Sequence, residues 1–215
     1  MFCNKNNISW EDHDKLRECV KYLMKEKRYA HTIGVEQESE KLAEIFECEP
    51  ALVKKIKSAA LLHDIAKEFE RDKQLEICAE YKIELNEDDI QAENEWHAKT
   101  GAYIARHEFG ADDIIFNAVY YHTLGASYNQ FNLPGKIICL ADYIEPNRDY
   151  QDNLEVREYF YKNLERAENL ENKYEVLDDA ILFSVNKTLQ ALIDENLFIH
   201  VNTIKSRNSF IASKK

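Results

Sequence analysis

Ser58-Ala59-Ala60-Leu61-Leu62-His63-Asp64-Ile65-Ala66-Lys67 is the stretch on which the rest of the chain turns. Its first half is small and apolar, without Gly or Pro, and reads as a buried helix that ends in polar chemistry. Adjacent His63 and Asp64 offer a metal ion two ligands from one point on the backbone. Lys67 falls three residues after Asp64, on the same face if the helix continues. A lysine beside a metal-activated water suits an anionic oxygen, which suggests phosphate chemistry. A His-Asp pair alone is common by chance and reads equally well as a surface pair after a core helix. The weight therefore falls on what surrounds it.

Outward from this stretch, the helical periodicity continues in both directions. Upstream, Pro50 suits a first helical turn, and Leu52, Val53, Ile56 and Ala59 carry the apolar stripe down to His63. The segment 28–47 predicts a second long helix containing His31, with Gly34 tolerated for close packing of another backbone beside His31. Ser9-Trp10-Glu11-Asp12 fits a capping pattern that starts a helix reaching to about residue 27. Downstream, residues 72–82 predict a short amphipathic helix, and 86–95 an acidic loop. Trp96-His97 opens a helix whose Ala98, Gly101, Ala102 and Ala105 make a small-residue face, closed by Gly110. Residues 112–121 predict a helix ending at His122. The loop 125–132 is polar and expected to be mobile. Pro134 starts a buried helix that carries Asp142 and is stopped by Pro146. Two amphipathic helices follow, at about 154–169 and 173–196, and the basic segment from Lys205 is expected to be loose.

Composition agrees with this pattern. The 215 residues include only 5 Gly and 3 Pro, few enough turn-formers to predict an all-α protein. The length suits a single domain over 1–215, with its core at about 16–200. A net charge of −12 argues against nucleic acid as a partner. It leaves room for a small anionic substrate, since bound cations reverse the local field. No apolar run nears the ~20 residues that span a bilayer, and residues 1–7 resemble no export signal. The five cysteines include no CxxC pair, and read as reduced thiols of a cytoplasmic protein.

His31, His63 with Asp64, His97, His122 and Asp142 share one habit: each stands near an end of an apolar or small-residue helix. His13, His107 and His200 have charged or terminal neighbours and are expected to be exposed. Any one buried histidine is more often a satisfied core residue than a ligand. So many polar groups turned inward and unpaired would cost several kcal/mol each, and a metal site satisfies them together. Four His and two Asp exceed what one ion needs. They suit two ions sharing a bridging carboxylate, for which Asp64 is the natural candidate.

The blocks 28–35, 63–67, 97–102, 121–123 and 141–148 resemble the HD-domain superfamily of metal-dependent phosphohydrolases, and among them the bacterial YqeK-type proteins. The similarity runs over about residues 16–209 and reaches the Ile199-His200 and Arg207-Asn208 region. It implies an HD-domain helical bundle with His31, His63, Asp64, His97, His122 and Asp142 as metal ligands. It also implies a dinuclear centre, iron in that group, that converts diadenosine tetraphosphate into two ADP. Imidazole and carboxylate ligands suit Fe, Mn, Zn or Ni over Mg or Ca. On this reading a bridging hydroxide between the ions attacks an inner phosphorus atom. Asp64 and Lys67 take catalytic roles, and Arg28, Lys67 and Arg148 bind phosphates through charge-assisted hydrogen bonds. Lys67 and Arg28 read otherwise as solvated helix-end charges, and Arg148 as an ion-pair partner of Asp149 or Asp152. Glu145 is either a partner of a ligand histidine or the exposed end of its helix. Two other functions stay open: a 5′-nucleotidase or related nucleotide phosphohydrolase, and a non-catalytic helical module stapled by metal. A homodimer is left open as well.

Overall fold

A computed structural model describes residues 8–214. The segment 1–7, with Cys3 and the expected absence of an export signal, lies outside the described residues. Helices alone make up the regular structure among the described residues. They run α1 His13–Leu23, α2 Glu26–Ile45, α3 Pro50–Leu62, α4 Arg71–Tyr81, α5 Glu87–Gln91 and α6 Trp96–Phe109. After these come α7 Asp113–Tyr121, α8 Leu133–Ile144, α9 Gln151–Leu164, α10 Leu170–Asp194 and α11 Val201–Ser213.

Local chemistry sets most of the boundaries. Asp12, rather than Ser9, caps α1, its side chain accepting from the Lys15 N–H. The expected helix to residue 27 breaks at Met24 and Lys25, both extended, and α2 begins at Glu26. Pro50 stands in the first turn of α3. Gly110, at φ +70°, closes α6 in the left-handed conformation that glycine adopts without a Cβ clash. Asp112 caps α7, and Asn132 caps α8 with Pro134 in its first turn.

The centre is built from α2, α3, α7 and α8. Helix α3 packs against α2 and α7, and α8 against α2, α7 and α10. Leu61, Leu62, Ile137, Leu140 and Ala141 are fully buried. The small residues Ala59, Ala60 and Ala141 let these helices approach closely. As a result the C-terminal ends of α3, α7 and α8 converge with the middle of α2 and the start of α6.

Three segments differ from the sequence reading. The acidic stretch 86–95 is ordered: Asn86 and Asp89 form a reciprocal capping box for α5, and a 3-10 turn spans Glu93–Glu95. The segment from Lys205 is not loose but belongs to α11, which buries Ser206 and Phe210 against the core. Loop 125–132 is pinned to that helix. The Tyr128 N–H donates to Ser209 Oγ at 2.9 Å, Phe131 is buried, and Gly125 lies so close that a Cβ there would meet Ser206 Oγ at 2.3 Å. With α11 docked, His200 is 3% exposed and not at the surface. Helices α9 and α10 begin about three residues earlier than expected, at Gln151 and Leu170.

If α11 belongs to the cooperative fold, Phe210→Ala removes a fully packed ring and lowers stability by ~3–5 kcal/mol. Urea unfolding followed by circular dichroism measures it. A loss below about 1 kcal/mol would restore the loose-tail reading.

Candidate metal centre

All six expected ligands meet in one cluster. His31 comes from α2, His63 caps the C-terminus of α3, and Asp64 follows it. His97 lies in the first turn of α6, His122 caps the C-terminus of α7, and Asp142 lies in the last turn of α8. His63 is fully buried, His97, His122 and Asp64 nearly so, and the Asp142 side chain is 21% exposed.

Asp64 divides the cluster. Its Oδ2 lies 3.7 Å from His31 Nε2 and 3.4 Å from His63 Nε2. Its Oδ1 lies 3.3 Å from His97 Nε2 and 3.8 Å from His122 Nε2. Asp142 Oδ1 stands on the first side, 3.0 Å from His31 Nε2 and 3.7 Å from His63 Nε2. The ligand atoms of His31, His63 and Asp64, and those of Asp64, His97 and His122, each lie within 4.8 Å of one another. The two sets share Asp64 alone, and a third, of His63, His122 and Asp142, crosses between them.

Every ring is turned the same way. His63 Nδ1 donates to Ala60 O at 2.6 Å, His97 Nδ1 to Asn94 O at 2.7 Å, and His122 Nδ1 to Val119 O at 2.7 Å. Each acceptor is the carbonyl three residues back. His31 Nδ1 donates to Glu145 Oε1 at 3.0 Å. With the proton fixed on Nδ1, each Nε2 presents its lone pair to the centre. The buried Nε2 atoms of His31 and His63 have no hydrogen-bond partner among the described residues. His31 Nε2 is close to Asp142, but the contact lacks hydrogen-bond alignment. Buried, unpartnered imidazole nitrogens facing carboxylate oxygens fit a divalent cation.

Charge is finely set here. Burial would raise the Asp64 carboxyl, but His63, His122 and His97 hold it well below the usual carboxylate range. Asp142 is likewise held low against burial, chiefly by Arg148 and His31. Burial would lower His31, yet Asp142 and Glu145 push it up to about 9. A cation at this position favours the neutral ring instead, since a ligating imidazole must be deprotonated. Burial and the nearby Lys67 lower His97 despite Asp64.

Glu145 is the partner of His31, a candidate ligand, and not an exposed helix end, at 1% exposure. Gly34 makes room for it: a Cβ there would meet Glu145 Oε2 at 2.1 Å. The close approach expected at Gly34 is thus by a side chain and not by backbone. Arg157 fixes the turn after α8, donating to the carbonyls of Ile144, Glu145 and Arg148. Sequence reading missed Arg157 and the three anchoring carbonyls. Backbone oxygens carry no residue signature, although the repeated three-residue offset was available.

The phosphate-binding candidates stand around the mouth. Arg28 Nη1 donates to Asp64 Oδ2 at 2.5 Å. Arg148 Nη2 donates to Asp142 Oδ1 at 2.8 Å, so its acidic partner is neither Asp149 nor Asp152. The helix does not continue past Leu62; successive turns carry Lys67 to Asn94 O at 3.3 Å, beside His97. These three cations, with Lys27 and Tyr150, line a cleft of about 490 Å³ above the cluster. Glu68 and Asp149 line the same cleft, so drawing an anion toward the buried cluster takes bound cations as well as these side chains.

Known proteins resemble this chain in sequence and fold. The HD domain family matches residues 28–147. A Bacillus subtilis protein named "Bis(5'-nucleosyl)-tetraphosphatase, symmetrical" is 33% identical over 195 residues, 90% of this chain and 95% of its own. A Halalkalibacterium halodurans protein of the same name is 31% identical over 204 residues, 94% of this chain and 98% of its own. A Clostridium acetobutylicum crystal structure, titled a predicted HD superfamily hydrolase involved in NAD metabolism, superposes with a TM-score of 0.81 at 34% identity. It covers 95% of this chain and 98% of its own. On its matched sequence and its convergent His and Asp side chains, the chain belongs to the HD domain family.

Proposed function

We propose that this protein is a symmetrical dinucleoside-tetraphosphate hydrolase, splitting diadenosine tetraphosphate into two ADP at a centre of two metal ions. One observation carries the reading. Asp64 turns one oxygen to His31 and His63 and the other to His97 and His122, the geometry a bridging carboxylate requires. The names of the relatives supply the substrate class.

The residues divide the work. His31, His63, Asp64 and Asp142 would hold one ion, and His97, His122 and Asp64 would hold the other. Bound transition-metal ions lower the pKa of a water and neutralise charge on the attacked phosphate. The donor set suits Fe, Mn, Zn or Ni, and iron is proposed on the family resemblance. Arg28 and Arg148, both half-buried at the cleft mouth, hold the flanking phosphates through two-pronged contacts. Lys67 reaches the phosphoryl oxygen where charge grows. Glu145 keeps His31 in its ligating tautomer. No helix among the described residues is long and apolar enough to cross a membrane; a cytoplasmic location is proposed on the family resemblance.

The substrate test is product analysis after incubation with diadenosine tetraphosphate. ADP alone is expected. ATP with AMP would sink the symmetrical reading, and orthophosphate released from mononucleotides would favour a 5′-nucleotidase. Metal-dependent stability without turnover would point to the stapled, non-catalytic module.

The metal count is tested by replacing His97 and His122 with Ala together. Elemental analysis should fall from about two ions per chain to about one, with the fold kept, since two of the second ion's three ligands are gone. One ion in both proteins, with activity retained, would make the pair ordinary core histidines. Lys67→Ala should retain both ions and lower kcat roughly a hundredfold, or ~3 kcal/mol. Gly34→Ala drives a methyl group into Glu145. Metal affinity, measured by chelator competition, should drop ~10–100-fold, as when a ligand's supporting partner is removed. Undiminished affinity would detach Glu145 from metal binding.

A further inference from the structure

A substrate with two nucleosides, cut at its middle, needs a lobe for each beside the metals. The cleft over the cluster offers one. A second cavity, of about 380 Å³, lies between the Glu93–Glu95 turn, the end of α7, the C-terminal part of α10 and the segment leading into α11. That is within the ~300–1,000 Å³ usual for small-molecule sites. Thr123 lines both spaces. It directly follows His122, and its Oγ1 is buried without a hydrogen-bond partner among the described residues. The hydroxyl oxygen itself is closed off from both spaces, so Thr123 marks the wall between them.

The two spaces differ in chemistry. The cleft is lined by Arg28, Lys67 and Arg148, suited to phosphates. The second cavity presents Leu192, Leu197 and Phe198 on one side and Glu93 and Glu95 on the other. Apolar walls suit a base; Glu93 is already paired with Arg71 at 2.9 Å, which leaves Glu95 to accept from a ribose hydroxyl or an exocyclic amine. Among the described residues no unpaired cation lines this cavity to hold a phosphate. Leu197 and Phe198 are 52% and 45% exposed, with no burial role in the core to account for them.

Resting on the hydrolase reading above, we propose that this cavity binds the second, uncharged nucleoside end of the substrate, with Thr123 at the junction between the lobes. ADP, the product, should then occupy both lobes.

The experiment is calorimetric titration of the metal-loaded enzyme with ADP, for wild type, Leu197→Asp and Phe198→Ala, with steady-state kinetics on diadenosine tetraphosphate alongside. Wild type should bind about two ADP per chain, and each variant about one. The KM for diadenosine tetraphosphate should rise roughly tenfold or more with kcat little changed, the scale of losing an apolar contact in a binding pocket. Two variants guard against a folding defect in either. A single ADP in wild type, or two retained in both variants, overturns the assignment. If the variants instead lose a dimer on sedimentation while keeping two ADP, the surface belongs to a second copy of the chain and the proposal falls. Failure to hydrolyse diadenosine tetraphosphate sinks the hydrolase reading, while the ADP stoichiometry judges the cavity independently.

Discussion

The centre of this molecule depends on a buried negative charge. Asp64 is 4% exposed, and an ionised carboxylate moved from water into an apolar interior without partners is prohibitively costly. The Arg28 guanidinium donates to one of its oxygens, and four imidazole nitrogens stand around both with lone pairs that a cation between them would reconcile. A carboxylate has lone pairs enough for both sides at once, whereas an imidazole offers the cluster only one nitrogen. That difference sets the two carboxylates apart from the four histidines, and of the two it is Asp64 whose oxygens each lie within 3.8 Å of a different histidine pair.

Holding four rings in one orientation is a second demand, and backbone left over from helix termini meets much of it. The last carbonyls of a helix have no partner within it. His63 and His122, at the ends of α3 and α7, each donate Nδ1–H to the carbonyl three residues back. One side chain thus caps a helix and presents a ligand nitrogen. His31 sits inside α2, where the helix's own carbonyls are occupied, so its acceptor has to come from elsewhere. Glu145 supplies it across the space that Gly34 leaves.

This division explains what could be read from the sequence. The six clustered residues were legible because apolar helices that deliver His or Asp inward leave buried polar groups to be satisfied together, and because the blocks carrying them resemble a known family. The helices themselves were legible from periodicity and from Pro50, Gly110, Pro134 and Pro146. Residues 86–95 were not, since their acidity reads as a solvated loop. Asp89 is in fact buried, paired with Lys99 at 2.5 Å and His200 at 3.2 Å, and neither partner is a local neighbour. The same long-range pairing hid His200. Phe210 and Ser206 were misjudged because the basic residues around them dominate a local reading, while burial of the ring is decided by loop 125–132 and α10.

The buried Asp89–Lys99–His200 group also ties the metal site to the end of the chain. Asp89 opens the segment whose Asn94 carbonyl orients His97 and holds Lys67. His200 caps α11 by accepting from Asn202 N while its other nitrogen meets Asp89. Helix α11 in turn pins the loop that follows His122. The cleft itself mixes signs: Arg28 and Arg148 are paired with Asp64 and Asp142, Glu68 and Asp149 line it beside Lys27 and Lys67, and the balance turns on cations held by the cluster. In water the distant acids are screened within about 10 Å at ordinary salt, so an approaching polyphosphate responds to the local cations and not to the overall sign. An acidic protein can therefore hold an anionic substrate, provided that the cations at the mouth and the ions beneath them act at shorter range than the acids outside.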